Sequence, residues 1–142
     1  MNLWRRTVLG YIGGVLYLGV ELAYRGRSHP SMFLLGGLCF VLVGDLGRWS
    51  GLGLLGRAVL GGTAITVLEL LTGLVVNRWL GLEVWDYSTQ PGNLLGQICP
   101  GFCLAWVLLA GAGVMAEDWL RHRLFGLPRQ LWRLPGRAVL PD

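Results

Sequence analysis

Four long apolar runs, each too poor in charge to face water on every side, constrain this chain more than any other feature. They cover about residues 7–24, 31–46, 58–77 and 94–116. Roughly 17 to 25 mostly apolar residues cross a bilayer as a helix. The second run is short, so its helix either tilts or draws on its flanks. Lipid offers the backbone no hydrogen bonds, which favours helices that satisfy their own. Composition points the same way. Of 142 residues, 54% are hydrophobic and 14% charged, against about 25% charged in soluble domains. A soluble fold of this size could not cover its surface with so few charges. The expected fold is an all-α polytopic transmembrane bundle of about four spans over 1–118, with an interfacial cytoplasmic tail over 119–142. The Gly-rich stretch from Trp49 to Gly56 is too short to span and reads as a re-entrant or interfacial piece.

Arginine distribution sets the expected orientation. There is no lysine, and nine of the twelve arginines fall on the side of the termini. The other three, Arg25, Arg27 and Arg78, fall on the opposite side. An excess of positive charge marks the cytoplasmic side, so both termini are expected there, and the loops at 25–30 and 78–93 outside. The N-terminal run continues to Tyr24 with no A-x-A site after it, and it reads as a span that stays in the protein. Beyond Trp119, arginines mix with Leu124, Phe125, Leu131 and Trp132, as suits a tail lying on anionic lipid. The net charge of +4 does not imply nucleic acid, because the arginines flank apolar runs and form no basic face. Membrane lipids are the expected neighbours.

Carboxylates inside the spans need a reason, since a charge at a helix centre costs at least about 2.5 to 3.5 kcal/mol on insertion scales. Glu69 lies deepest. Thr66, Glu69, Gly73 and Asn77 share one helical stripe, which should point into the bundle or a cavity. Glu21 shares a stripe with Gly10, Gly14, Tyr17 and Tyr24, and Arg25 one turn on is its ready partner. Asp45, three residues before Arg48, reads as a local ion pair at the surface. The loop Trp85-Asp86-Tyr87-Ser88 suits the interface. Asn93 is placed to cap the fourth helix, with Gln97 one turn inside, and Pro100-Gly101 should kink that helix. Glu21, Glu69, Asn77, Asp86, Asn93 and Gln97 all fall in the external half. With Trp85 and Tyr87 they suggest one polar pocket opening outward, suited to a proton, a cation or a polar solute.

Other chemistries lack their residues. No GxxxxGK[ST] is present, so the chain holds no P-loop of its own. His29 and His122 sit at span ends, and Cys99 and Cys103 share a face without a histidine, so neither a metal nor a cofactor is expected. The three cysteines lie in apolar segments as packing residues.

Several runs together resemble a known family. They are Arg25-Gly26-Arg27-Ser28 with Ser31-Met32-Phe33 and Gly36-Gly37; Leu68-Glu69-Leu70-Leu71-Thr72-Gly73; and Trp85-Asp86-Tyr87-Ser88, Pro91, Asn93-Leu94-Leu95-Gly96-Gln97-Ile98-Cys99. They look like the bacterial CmpB-like ABC-transporter type IV permease family over about residues 10–125. The resemblance implies a transport protein of the bacterial inner membrane, working with a separate ATPase partner. A homodimer or other membrane subunits are further candidate partners. Two other readings stand beside it. One is a membrane-embedded enzyme in which Glu69 and Asp86 do acid–base work on a lipid or isoprenoid. The other is a non-catalytic assembly subunit packing on partners through Gly10 and Gly14.

Overall fold

The computed structural model describes residues 1–130. Four helices alternate in direction: α1 (Leu3–Arg25), α2 (Pro30–Ser50), α3 (Leu54–Gly73) and α4 (Pro100–Phe125). Helix α3 runs on through π-helical turns over Leu74–Trp79. The four membrane-length segments hold 21 to 26 residues. At about 1.5 Å rise per residue they reach about 30–40 Å, enough to cross a hydrocarbon core of about 30 Å. The chain is a helical membrane bundle, as its apolar runs require.

Local chemistry sets the ends. Pro30 and Pro100 open α2 and α4 at the first turn, where an amide proton would have no partner. Gly26 and Gly51 close α1 and α2 with φ of 70° and 63°, a left-handed turn that costs other residues more. Only Gly51–Gly53 separates α2 from α3, so the piece expected to be re-entrant is helix end and tight link. The fourth helix was expected from residue 94 but begins at Pro100, and Pro100-Gly101 starts it rather than kinking it. Residues 94–99 instead form a closed turn, in which the Leu94 amide donates to the Ile98 carbonyl at 2.9 Å. At its other end α4 continues past 119 to Phe125. The expected tail is therefore helical in its first part. Leu131, Trp132, Arg133 and the rest of it lie outside the described residues.

Glycine decides how the helices pair. Helix α1 packs mainly on α2, and α3 mainly on α4, while α1 scarcely touches α4. A Cβ on Gly37 would lie 2.4 Å from the Gly10 carbonyl oxygen, and one on Gly62 2.6 Å from the Val107 Cα. Small residues admit this backbone approach, and close packing drives helix association in lipid. The Gly10–Gly14 stripe, expected to face partners, is used inside the chain: a Cβ on Gly14 would lie 2.7 Å from Phe33 of α2. We expect Gly37→Val to lower the thermal stability of the detergent-solubilised protein, at the scale of overpacking, about 1–3 kcal/mol. Gly19→Val should leave it unchanged, because a Cβ there meets nothing within 4 Å.

Charges gather at the end of the bundle that carries the N-terminus. Asp45 is paired with Arg48 as the sequence suggests, but it is 4% exposed and also meets Arg6 of α1 at 3.0 Å. Arg48 reaches across to Glu117 of α4 at 2.7 Å. Arg121 bonds Asp118 and the Pro128 carbonyl, and the Gln130 amide donates to Asp118 at 2.8 Å. Asp45 thus belongs to a buried network joining α1, α2 and α4, rather than to an isolated surface pair. A Cβ on Gly44 would sit 2.5 Å from the Glu117 carboxyl carbon, so this glycine makes room for the carboxylate.

Candidate functional site

Because α1 and α4 stand apart, a cavity of about 1090 Å³ opens between them at the end away from the charge network. The segment between α3 and α4 covers it. That segment is built by its own polar side chains. Asp86 accepts from the Ser88 amide and hydroxyl at 2.8 and 2.9 Å, and these bonds hold its carboxyl below the usual carboxylate range. Asn93 accepts from the Gly96 amide and donates to the Ser88 and Gln90 carbonyls. It caps this loop rather than α4, and its side chain does not line the cavity.

A second set of bonds ties the loop to α3. Asn77, on the π-helical turns, accepts from the Val84 amide at 2.7 Å and donates to Gln97 Oε1 at 2.9 Å. Trp85 Nε1 donates to the Gln97 carbonyl at 3.0 Å. Gln97 lies against Gly73, where a Cβ would come within 2.4 Å of its Oε1. These side chains border the cavity, and their hydrogen bonds go to one another and to the loop backbone.

Glu69 lies on the wall, 3% exposed. Its Oε1 accepts from the Tyr87 hydroxyl at 3.0 Å and its Oε2 from Trp106 Nε1 at 2.6 Å. Among the described residues no basic side chain pairs with it. Burial, then the Glu69 carboxylate, pushes the Tyr87 phenol far above its ordinary range, so Tyr87 stays a proton donor to Glu69. Glu21 differs. It is also buried, but Arg25 and Ser28 both bond it, and Arg25 also holds the Val84 carbonyl at 2.9 Å. Of the pocket residues singled out from sequence, Glu21, Glu69, Asn77, Trp85, Asp86, Tyr87 and Gln97 border one cavity and Asn93 does not.

Sequence reasoning missed the α4 wall. Phe102 stacks on Tyr87 with centroids 4.6 Å apart, and Trp106 lies 6.2 Å from both Phe102 and Tyr17. The signal was present: two aromatics four residues apart on a span that also carries small residues. Thr66, assigned to the Glu69 stripe, instead donates to the Gly62 carbonyl of its own helix.

Below the polar cavity lies an apolar cleft of about 270 Å³, also between α1 and α4. The two meet at Tyr17, Val20, Glu69, Trp106 and Leu109, which border both.

This arrangement defines a multi-pass membrane protein with an acid-bearing cavity between two loosely joined helix pairs. Residues 7–134 match the family described as "Putative ABC-transporter type IV", and the chain belongs to that family. No curated protein and no solved structure matches the chain.

Proposed function

We propose that the chain is a membrane subunit of an ABC-type transport system, and that the cavity around Glu69 is its solute site. One observation carries the reading: a buried carboxylate with no basic partner among the described residues faces a large cavity within a membrane bundle. Intramembrane ionisable groups that face a cavity mark substrate and ion pathways. Family membership supports transport. The lack of a P-loop assigns ATP hydrolysis to a separate subunit. Arginine distribution supports cytoplasmic termini and a cavity mouth outside, and the family resemblance supports a bacterial inner membrane. The charge network ties the helices at the opposite end, which supports a polar cavity that meets water on one face of the membrane.

The test of function reconstitutes the full chain in proteoliposomes and reads, on a solid-supported membrane, the current from charge displaced as a proton or small organic cation enters the site, a step that needs no ATPase. Currents should appear with the wild-type protein and fall at least about tenfold in Glu69→Gln, one lost charge interaction of roughly 1.4 kcal/mol or more. Equal currents from the two proteins would overturn the reading. Orientation has its own test. In intact cells Ser88→Cys should react with a membrane-impermeant maleimide, and Ser50→Cys only after permeabilisation. The reverse pattern would invert the assigned topology.

A further inference from the structure

We propose that the ligand of this cavity is an organic cation carrying an apolar tail, its ammonium group at Glu69 and its tail in the apolar cleft. The inference rests on reading the cavity as a solute site and names the class of solute.

Charge selects the head group. Against an anion, Arg25 is already paired with Glu21 and bonded to the Val84 carbonyl, and Arg27 lines the cavity only from its exposed rim. On the acidic side Glu69 has no basic partner among the described residues, and each oxygen that accepts one hydrogen bond keeps capacity for another contact. Glu83 and Asp86 add negative charge at the mouth.

Aromatic faces select an organic cation over a metal ion. Tyr87 and Phe102 stack nearly parallel, at 11°, and Trp106 and Tyr17 tilt toward each other beside Glu69. Tyr24 meets the edge of Phe102. A cation over such faces gains from the ring quadrupoles, and aromatic cages are the usual receptors of alkylated ammonium groups. A hard metal ion would instead need several oxygen ligands, and here one carboxylate stands among rings.

The tail follows from what adjoins the cage. The cleft continues from Glu69 and Trp106 along Val43, Ile65, Ala110 and Gly113, with almost no polar surface. It is open sideways: Leu16 and Val20, on its α1 side, are 49% and 47% exposed on a face that meets lipid. An amphiphile in the bilayer can therefore bring its head to Glu69 without lifting its tail from the apolar layer.

The test measures equilibrium binding of radiolabelled tetramethylammonium and dodecyltrimethylammonium to the full chain in phosphatidylcholine nanodiscs, with empty discs subtracted. Amphiphiles concentrate in lipid, so the decisive comparison is between variants. Gly113→Leu fills the cleft, where a Cβ at 113 meets nothing within 4 Å, and Ala112→Phe is an independent second filler. Both should weaken dodecyltrimethylammonium about tenfold, as expected for a tail losing one or two buried methylenes, and leave tetramethylammonium unchanged. Glu69→Gln should weaken both probes. If neither filler changes dodecyltrimethylammonium binding, the tail assignment is wrong while the solute site stands. If neither probe binds above empty discs but currents still depend on Glu69, the ligand class is wrong and the solute site stands. If currents are also indifferent to Glu69, both fall.

Discussion

Glu69→Gln is expected to abolish solute-dependent current and leave the fold intact. The reason is in the bonds around it. Glu69 accepts from one hydroxyl, Tyr87, and from one indole N–H, Trp106. A glutamine can keep both. Its oxygen accepts from Trp106, which can only donate, and its amide donates to Tyr87, whose oxygen can also accept. The substitution thus removes a charge and preserves the contacts. Thermal stability in detergent should stay within about 1 kcal/mol, the scale of one net hydrogen bond, while current falls at least about tenfold. Glu69→Ala is the contrasting variant. It strands both donors, and each buried unsatisfied group costs about 1–3 kcal/mol. A stable Glu69→Gln protein with undiminished current would remove Glu69 from the mechanism.

Arg48→Ala should have the largest effect on stability. Arg48 joins Asp45 on its own helix to Glu117 on α4, and both carboxylates are nearly inaccessible. Removing one partner of a buried ion pair costs about 3–5 kcal/mol, because the remaining charge stays buried. Among the described residues, Asp45 keeps Arg6 at 3.0 Å, whereas Glu117 keeps only Arg121 at 3.8 Å. The loss should therefore fall on Glu117. Replacing both members, as in Arg48→Met with Glu117→Leu, should recover much of the stability, since a packed apolar pair avoids the stranded charge. Detergent-solubilised melting curves would show it. If the double variant is as unstable as Arg48→Ala, stranded charge is not the cause. A network joining α1, α2 and α4 at one end fits the placing of the wide polar cavity at the other.

The particular residues show what could be read from the chain alone. Depth along a span marked Glu69, because a carboxylate in a long apolar run has few explanations. Helical spacing placed Tyr17, Glu21 and Tyr24 on the stripe that meets the cavity. Spacing failed for Asn93 and Pro100. Both stand in polar or turn-forming sequence that continues into an apolar run, and the run alone does not say where helix begins. A proline suits the first turn as well as it suits a kink, and only the closed turn over 94–99 decides between them. Glu117 and Asp118 escaped notice for a related reason. Their charge ends the apolar run at Ala116, whereas the helix runs on to Phe125 and buries them against Arg48 and Arg121.

The sequence by itself determined a membrane bundle of four spans, and an acid within it. Apolar length and scarcity of charge are local properties, and the bilayer answers to them directly. Tertiary structure alone decided that α1 pairs with α2 and α3 with α4. It also decided that a cavity and an apolar cleft lie between those pairs, and that Trp106 and Phe102 join Glu69 there. Pairing depends on which glycines meet which backbone atoms across helices distant in sequence, and no periodicity within one helix records that.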